Sequence, residues 1–194
     1  MKEIAETGYW NGETAHLHHI HSQELSDWIC DFFENNLDKT KLIIDIGCGL
    51  GNYLKDLENR GFYNLVGYEG DPPKNKIFDN IIKRDLTISL GNHPISGNVI
   101  FLEVGEHIDQ KYQDILLDNV SKSCNNYLIT SWAIRGQEGF GHVNCLDNEE
   151  IIPEIEKRGF TYLKEESESA RNVIKDNTWW FKNTILIFKK NDIK

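Results

Sequence analysis

The stretch from Lys41 to Asn59, KLIIDIGCGLGNYLKDLEN, limits the possible folds of this chain more than any other part of it. Its apolar beginning at 41–46 predicts a buried strand, the glycines that follow predict a tight turn, and residues 52–59 return to helical spacing. A strand, a glycine turn and a helix in this order are typical of α/β proteins with a parallel sheet. Because ligands of such sheets bind beyond the carboxyl ends of the strands, we expect a ligand next to this turn.

The spacing of the glycines argues against a dinucleotide as that ligand. Gly47, Gly49 and Gly51 form Gly-x-Gly-x-Gly, whereas the dinucleotide pattern requires its third glycine at the position of Asn52. Asp45, just before the turn, places a carboxylate where a pyrophosphate would be repelled. The turn therefore favours a positively charged ligand, which the glycines allow to approach the backbone closely.

Further predicted strands and helices alternate along the chain. The strands are predicted at 65–68, 80–82, 98–104, 126–132, 160–164 and 184–189, and the helices at 22–35, 110–121 and 147–158. This alternation predicts a doubly wound, mostly parallel α/β sheet of seven strands with helices on both faces, with room for an antiparallel member among the last strands. We interpret residues 1–194 as a single domain, with an amino-terminal segment and helix over 1–36 and a core over 41–194.

Composition excludes several other classes of protein. A chain of 194 residues with a net charge of -10 and 39% hydrophobic residues is typical of an ordinary globular protein. No apolar run approaches the ~18 residues that a membrane span needs, and no signal-peptide core follows the first residues, so we expect a cytoplasmic protein. The four scattered cysteines favour neither disulfides nor a thiolate zinc site. An isoelectric point near 5.1 argues against broad nucleic-acid binding.

Carboxylates follow two further predicted strands. Glu69 follows the strand at 65–68, where it is placed to accept hydrogen bonds from both hydroxyls of a ribose. Asp85 follows the strand at 80–82 and offers a carboxylate to an exocyclic amine. The sequence therefore predicts three carboxylates, those of Asp45, Glu69 and Asp85, at one edge of the sheet.

These elements together resemble class I S-adenosylmethionine-dependent methyltransferases: DIGCGLG at 45–51, Glu69, Asp85-Leu86, and LEVGEHI at 102–108. The resemblance covers nearly the whole chain and implies a Rossmann-like fold with S-adenosyl-L-methionine as cofactor. It implies that the glycine turn wraps the methionine part, Glu69 holds the ribose, Asp85 with the Leu86 backbone reads the adenine, and Glu103 lies near the transferred methyl. The cofactor-binding residues expected on this basis are Asp45, Gly47, Cys48, Gly49, Gly51, Glu69, Gly70, Asp85, Leu86 and Glu103.

Methyl transfer to a hydroxyl requires a group that removes the hydroxyl proton. His107 follows the strand at 98–104 and carries an imidazole that ordinarily titrates near neutral pH, so we predict that it is the general base. Glu106 is expected beside it at the acceptor, and His142 is the rival base. No metal is expected, because the cofactor itself carries the reactive group, and activity is expected to survive chelation.

The loop after the strand at 126–132 is the predicted acceptor site. Trp132 offers an apolar wall, and His142 and Asn144 offer hydrogen bonds, which together suit a polyhydroxylated acceptor. The stretch GHVN at 141–144 is similar to small stand-alone O-methyltransferases of sugars and other small molecules. That resemblance implies a sugar, a glycan or a similar small hydroxylated acceptor.

Four histidines cluster near the amino terminus, in AHLHHIH: His16, His18, His19 and His21. A zinc site requires ligands that converge and a carboxylate or thiolate partner, whereas this spacing scatters the rings. We therefore predict that the first three are simply exposed. In the family that the chain resembles, this segment packs over the cofactor as a lid, which implies lid contacts for Tyr9 or Trp10 and for His21.

Three functions remain open from the sequence. The leading one is methyl transfer to a hydroxyl of a sugar, glycan or similar acceptor. The second is N- or C-methylation of a small metabolite, and the third is a non-catalytic partner subunit that binds the nucleoside; the intact set of cofactor residues speaks against the third. The expected partner is a small-molecule or glycan acceptor, without a membrane, and the chain is expected to be a monomer or homodimer.

Overall fold

The computed structural model describes residues 4–13, 19–91 and 95–192. Its strands are β1 (Ile43–Ile46), β2 (Leu65–Glu69), β3 (Ile81–Lys83), β4 (Gly97–Phe101), β5 (Cys124–Thr130), β6 (Phe160–Tyr162) and β7 (Leu186–Lys190). Its α-helices are α1 (Gln23–Asn36), α2 (Asn52–Asn59), α3 (Gln113–Ser123), α4 (Asn148–Glu156), α5 (Lys164–Asn172) and α6 (Phe181–Thr184). Strands and helices alternate along most of the chain, as the sequence predicts.

All of these strands belong to one sheet, in the order β3-β2-β1-β4-β5-β7-β6. The strand β1 pairs in parallel with β2 and β4, whereas β7 is antiparallel to both β5 and β6. The predicted mostly parallel seven-stranded sheet with an antiparallel member is therefore confirmed. Because the strand order reverses between β1 and β4, the connections after these strands diverge and leave a crevice at their carboxyl ends.

Helices cover both faces of the sheet, and each face has its own hydrophobic core. Ile44 and Ile46 of β1 lie in the core that includes residues of α3 and α4, whereas Ile43 lies in the core that includes α1 and α2. All three isoleucines are fully buried. Burial of one such side chain contributes about 1.5 to 3 kcal/mol to folding, so the two cores hold the strand ends in fixed positions.

The fourth strand and two helices, α5 and the short α6, differ from the sequence prediction. The sequence predicts that the fourth strand continues to Val104, but β4 ends at Phe101, because Glu103 has a φ of 52° and a left-handed residue does not continue a strand. The helix α5 is absent from the prediction. Its sequence, KEESESARN, is mostly charged and buries only Ser167 and Ala170, so its apolar periodicity is too weak to reveal a helix.

In the part of the chain that the structure describes, no helix is long and apolar enough to cross a membrane. Cys30, Cys48 and Cys124 are buried, Cys145 is half-buried, and all four are free thiols.

Candidate active site

The glycine turn after β1 has the backbone conformation that its sequence predicts. Gly47, Gly49 and Gly51 have φ values of 77°, 54° and 85°, a region that side chains other than glycine rarely adopt. The amides of Gly47 and Cys48 both donate to the carbonyl of Tyr68, at 2.8 and 3.1 Å. These bonds tie the turn to β2, which brings the turn next to the residue that ends β2.

That residue is Glu69, whose carboxylate is bound by backbone amides. Its Oε2 accepts from the amide of Gly49 at 2.9 Å, and its Oε1 accepts from the amide of Gly70 at 2.7 Å. Burial raises the pKa of Glu69, and the backbone amides of Gly49, Gly70 and Asp71 oppose that shift. A carboxylate has about four lone-pair sites, so Glu69 can still accept from a further donor such as a ribose hydroxyl.

A small chamber of about 70 Å³ lies beside Glu69. Its walls include Tyr9, Gly70, Arg84, Asp85 and Leu86. The Asp85 Oδ1 accepts from the Thr87 amide at 2.9 Å and from the Thr87 hydroxyl at 2.7 Å, which fixes the carboxylate. The chamber is smaller than the ~300 to 1,000 Å³ of typical ligand pockets, because the amino-terminal segment occupies part of it.

Tyr9 and His19 are the side chains of that segment that lie over the glycine turn and β2. A Cβ added to Gly70 would lie 2.3 Å from the Tyr9 Cβ, and one added to Gly49 would lie 2.6 Å from the His19 ring. The sequence prediction that His19 is simply exposed is therefore wrong, since the half-buried ring lines both chambers of the site. His16 and His18 lie outside the described residues.

A larger chamber of about 450 Å³ continues from the small one. The two chambers share Trp10, His19, Gly47, Glu103 and His107. The other walls of the larger chamber carry both polar and aromatic side chains. They include Asp45, Cys48, His21, Gln137, Phe140, His142 and Trp180. In this chamber, His21 has its Nε2 3.2 Å from an Asp56 carboxylate oxygen.

Asp45 is the most unusual acid in the larger chamber. Its side chain is buried, and its Oδ2 has no hydrogen-bond partner among the described residues. Burial, followed by the negative charge of Glu69, raises the pKa of Asp45 to about 8. A carboxyl group in this state gains charge and a partner when a cation binds beside it.

Glu103 lies in the wall between the chambers, where its backbone is left-handed. Its amide donates to the Ser131 hydroxyl at 2.9 Å, and its Oε2 accepts from the Gln137 side chain at 3.1 Å. Burial raises the pKa of Glu103. A non-glycine residue in this conformation costs about 1 to 2 kcal/mol, so the surrounding contacts must hold it in place.

The short 3₁₀ turn Gly105–His107 follows Glu103 and carries Glu106. The carbonyl of Glu106 accepts from the amides of Val143 and Asn144, at 2.8 and 3.0 Å. The carboxyl group of Glu106 is fully buried, and burial together with the charge of Glu103 raises its pKa well above the ordinary value. The two amide bonds bring His142 to the same place as Glu106.

His107 and His142 face each other across this junction, with ring centroids 5.0 Å apart. The Nδ1 of His107 lies 3.3 Å from the carbonyl of Gly141, and the Nδ1 of His142 lies 3.1 Å from the carbonyl of Gln137. Because a carbonyl only accepts, these contacts favour a proton on Nδ1 of each ring, and in the neutral tautomer Nε2 then keeps a lone pair. Burial lowers the pKa of His107 to about 4, so this imidazole is neutral at physiological pH, unlike the near-neutral titration that the sequence suggests.

Glu106, His107 and His142 form a candidate metal site. One ligand atom from each residue lies within 4.8 Å of the ligand atoms of the other two. The sequence analysis expects no metal, and it does not identify this cluster. The three groups come together only when the loop at 131–144 packs on the 3₁₀ turn, so no local pattern reveals them.

Two predicted acceptor contacts, Trp132 and Asn144, lie elsewhere. Trp132 is only 1% exposed and lines neither chamber; its indole donates to the carbonyl of Asn144 at 2.6 Å. The Asn144 side chain is buried as well and donates to Gln113 at 3.1 Å. Both residues therefore hold the loop in place, and the prediction that they contact the acceptor directly is wrong for this conformation.

The packing of Trp132 on Gly105 gives a prediction for stability. A Cβ at position 105 would lie 2.1 Å from the Trp132 ring, so Gly105→Ala is expected to destabilise the protein by about 1 to 3 kcal/mol. Urea unfolding measures this change. The double variant Gly105→Ala/Trp132→Phe should recover part of the loss, because the smaller ring leaves room for the methyl group. If the free-energy changes of the two single variants simply add up in the double variant, the contact between position 105 and the Trp132 ring is contradicted.

The sequence analysis missed several residues that line the larger chamber. Gln137, Phe140, Tyr53 and Trp180 all lie in its wall. Gln137 could have been proposed from the glycine-rich loop, since it lies five residues before His142. Tyr53 and Trp180 carry no such signal, because α2 and the segment before α6 reach the chamber only through the folding of the whole domain.

Comparison with known proteins relates this fold to a group of solved structures. No protein-family model and no curated protein sequence matches the chain. Magnesium protoporphyrin IX methyltransferase (ChlM) from Synechocystis PCC 6803, with bound SAH, superposes with a TM-score of 0.62 at 16% identity, over 87% of this chain and 83% of that one.

Two further structures are similar over most of their length. The N-methyltransferase NodS from Bradyrhizobium japonicum WM9, in complex with S-adenosyl-L-homocysteine, gives a TM-score of 0.60 at 12% identity, over 88% of this chain and 87% of that one. The [4+2]-cyclase SpnF gives a TM-score of 0.60 at 14% identity, over 97% of this chain and 88% of that one. Because a cyclase shares the fold, activity has to be argued from the site.

The architecture follows from the strand order, from the glycine turn at the point where that order reverses, and from these superpositions. The chain has the α/β fold of the class I S-adenosylmethionine-dependent methyltransferases.

Proposed function

We propose that this protein transfers a methyl group from S-adenosyl-L-methionine to a hydroxyl of a sugar, glycan or similar small polyhydroxylated acceptor. One observation carries the proposal. The small chamber beside Glu69 and Asp85 and the larger chamber meet at a shared wall that contains Glu103 and His107. A nucleoside in the first chamber and an acceptor in the second would therefore meet at these two side chains.

The residues of the site fit this cofactor. Asp45 has a buried oxygen without a partner, which suits the positively charged methionine part. Glu69 is held by the amides of Gly49 and Gly70 with lone pairs to spare for the ribose, and Asp85 with Leu86 lines the place proposed for the adenine. Tyr9 and His19 must move for the nucleoside to enter, as expected of a lid.

S-adenosyl-L-methionine, when bound, supplies a methyl group on a sulfonium, which is displaced in line by the acceptor. The protein's own residues supply alignment and exclusion of water. Trp10 packs edge-on against His107, with ring centroids 5.1 Å apart, and lies 6.2 Å from the Phe140 ring. These rings cover the junction of the two chambers and reduce the access of water.

The walls of the larger chamber favour an acceptor that is both apolar and polar. Trp10, Phe140 and Trp180 offer flat apolar faces, and Gln137 and His142 offer hydrogen bonds. Sugars and similar molecules combine an apolar face with hydroxyl edges. The volume of about 450 Å³ also lies in the range of pockets for small molecules.

The role of His107 depends on its environment. The sequence predicts a general base, but a group whose pKa is about 4 takes a proton from a hydroxyl only weakly. Its Nε2 lone pair can act only if something else acidifies the hydroxyl. His142 is the alternative base, since it lines the larger chamber and its ring lies 5.0 Å from that of His107.

N-methylation of a small metabolite is the second candidate function. It is supported by the N-methyltransferase among the similar structures, and it requires no strong base because many amines carry a free lone pair. A panel of free sugars, nucleosides and amines, assayed with radiolabelled cofactor, separates the two. Label transferred only to amines would overturn the hydroxyl acceptor, and no transfer to any class would favour the non-catalytic alternative.

Cofactor binding gives a prediction that is independent of the acceptor. S-adenosylhomocysteine is expected to raise the melting temperature, because a ligand that binds only the folded state stabilises it by RT ln(1 + [L]/Kd). At 100-fold excess over Kd this amounts to about 2.7 kcal/mol. Glu69→Ala is expected to remove most of the shift.

Glu168→Ala is the control for that variant, because Glu168 is an exposed glutamate on α5 that lines neither chamber. The Glu168→Ala variant should show the same rise in melting temperature with S-adenosylhomocysteine as the wild type. A wild-type melting temperature that does not change at saturating S-adenosylhomocysteine would refute the cofactor assignment.

A further inference from the structure

We infer that Glu106, His107 and His142 bind one divalent transition-metal ion at the junction of the two chambers; the role of that ion in catalysis rests on the proposed function. One ligand atom of each residue lies within 4.8 Å of the other two. Ligands at about 2.0 to 2.2 Å from a common ion are separated by roughly 3 to 4 Å. Small side-chain rotations therefore complete the set.

The buried carboxylates provide a second and independent observation. Glu106 is 0% exposed, and its carboxyl group lies against the carboxyl group of Glu103 and the amide of Ala133, with no well-aligned hydrogen bond to either of its oxygens in the described part of the chain. The Oε1 of Glu103 also lacks one. None of the ion pairs among the described residues involves either glutamate. Buried carboxylates without partners are costly, and a cation between them would remove that cost.

Both histidines have the arrangement that metal ligands usually show. A histidine ligand generally donates its second ring N–H to a carbonyl or carboxylate, which fixes its tautomer and its orientation. His107 does so to Gly141 and His142 to Gln137, each through Nδ1. The Nε2 atoms are therefore the available ligand atoms.

The backbone holds the three ligands together. Glu106 and His107 belong to one 3₁₀ turn, and the amides of Val143 and Asn144 donate to the Glu106 carbonyl. The segment that carries His142 is thus fixed to the turn on one side of that histidine. Three protein ligands leave coordination positions open, and His107 and His142 both line the larger chamber, so those positions face the acceptor.

The ligand types select the class of ion. Two imidazoles and a carboxylate suit Mn²⁺, Fe²⁺, Co²⁺ or Zn²⁺ better than Mg²⁺ or Ca²⁺, which prefer oxygen ligands. An ion there would coordinate the acceptor hydroxyl and lower its pKa. The hydroxyl oxygen then bonds to the methyl carbon, the carbon–sulfur bond breaks with its electron pair left on sulfur, and the hydroxyl proton leaves to water.

The test measures metal binding without cofactor or acceptor. The full chain, stripped with a chelator that is then removed, is titrated with Mn²⁺ while free Mn²⁺ is followed by electron paramagnetic resonance. We expect one bound ion per chain. Glu106→Gln and His142→Ala should each weaken binding at least tenfold. His21→Gln should leave it unchanged, which excludes the neighbouring pair of His21 and Asp56.

Circular dichroism checks the folding of each variant. If Glu106→Gln fails to fold because its side chain is buried, the half-buried His142 still decides the result. The inference is overturned if the wild type binds neither Mn²⁺ nor Zn²⁺, or if His21→Gln abolishes binding that His142→Ala retains. Such a result leaves the proposed methyl transfer standing, since S-adenosylhomocysteine binding is measured separately. With the ion present, chelation should abolish methyl transfer and Mn²⁺ should restore it, contrary to the expectation from sequence.

Discussion

Replacement of His107 by alanine is expected to slow methyl transfer by about 100-fold or more, equivalent to roughly 2.7 kcal/mol of transition-state stabilisation. The reason is its position. His107 lies in the wall that both chambers share, and its Nε2 is the ring nitrogen that is not bonded to the carbonyl of Gly141. The rate is measured at saturating cofactor and acceptor, and the Kd of S-adenosylhomocysteine is measured in parallel.

Cofactor affinity is expected to change much less than the rate, because the residues placed to contact the nucleoside are Glu69, Asp85 and Leu86. His142→Ala distinguishes between the roles of the two histidines. If His142 only positions the acceptor, its loss should mainly raise KM. If both histidines bind the same ion, each single substitution should reduce the rate nearly as much as the double substitution does, because the effects of residues that act as a unit are not additive. A His107→Ala protein with wild-type turnover would refute both roles.

The second large effect concerns Asp45 and pH. The pKa of about 8 means that this carboxyl group is largely neutral at pH 7 before the cofactor binds. The α-ammonium group, which S-adenosylhomocysteine shares with the cofactor, favours the ionised form of Asp45, so binding should release a proton. Affinity for S-adenosylhomocysteine should therefore rise with pH, by up to about tenfold per unit, and level off above pH 8.

Asp45→Asn is expected to abolish this pH dependence and to weaken binding on the order of 100-fold at pH 8.5, since it removes one partner of a buried charge interaction. Titration calorimetry in two buffers of different ionisation enthalpy measures the released proton. Glu69, Cys48 and Tyr53 are the other titratable groups that interact with Asp45. The substitution separates the effect of Asp45 from theirs. An unchanged pH slope in the variant would assign the proton to one of those groups instead.

The predictable part of this protein is the part that local sequence determines. The turn at 47–51 could be predicted because only glycine readily adopts left-handed φ values, and the strand before it is short and apolar. Glu69 and Asp85 could be placed because the carboxyl ends of parallel strands meet at one edge of the sheet. These residues line the small chamber, as a reading of the strand ends predicts.

The other chamber depends on contacts between distant parts of the chain. The position of Trp132 at the end of a predicted strand suggests that it forms a wall of the acceptor site. In the structure its indole packs inward instead, because Gly105 has no side chain to block it. The sequence around His19 predicts an exposed side chain, but in the structure the ring packs over Gly49. Likewise, 34 residues separate His107 from the carbonyl of Gly141 that fixes its tautomer. No local pattern encodes such contacts.

The left-handed backbone of Glu103 has a consequence for protein engineering. Of the described residues other than glycine, it is the only one with positive φ. Glycine would relieve about 1 kcal/mol of strain there and would also remove a buried acid that is costly to fold. A thermostability screen would therefore reward Glu103→Gly while it deletes a carboxylate from the shared wall. Directed evolution of this chain has to select for turnover and heat resistance in the same round, because selection for heat resistance alone favours loss of the site.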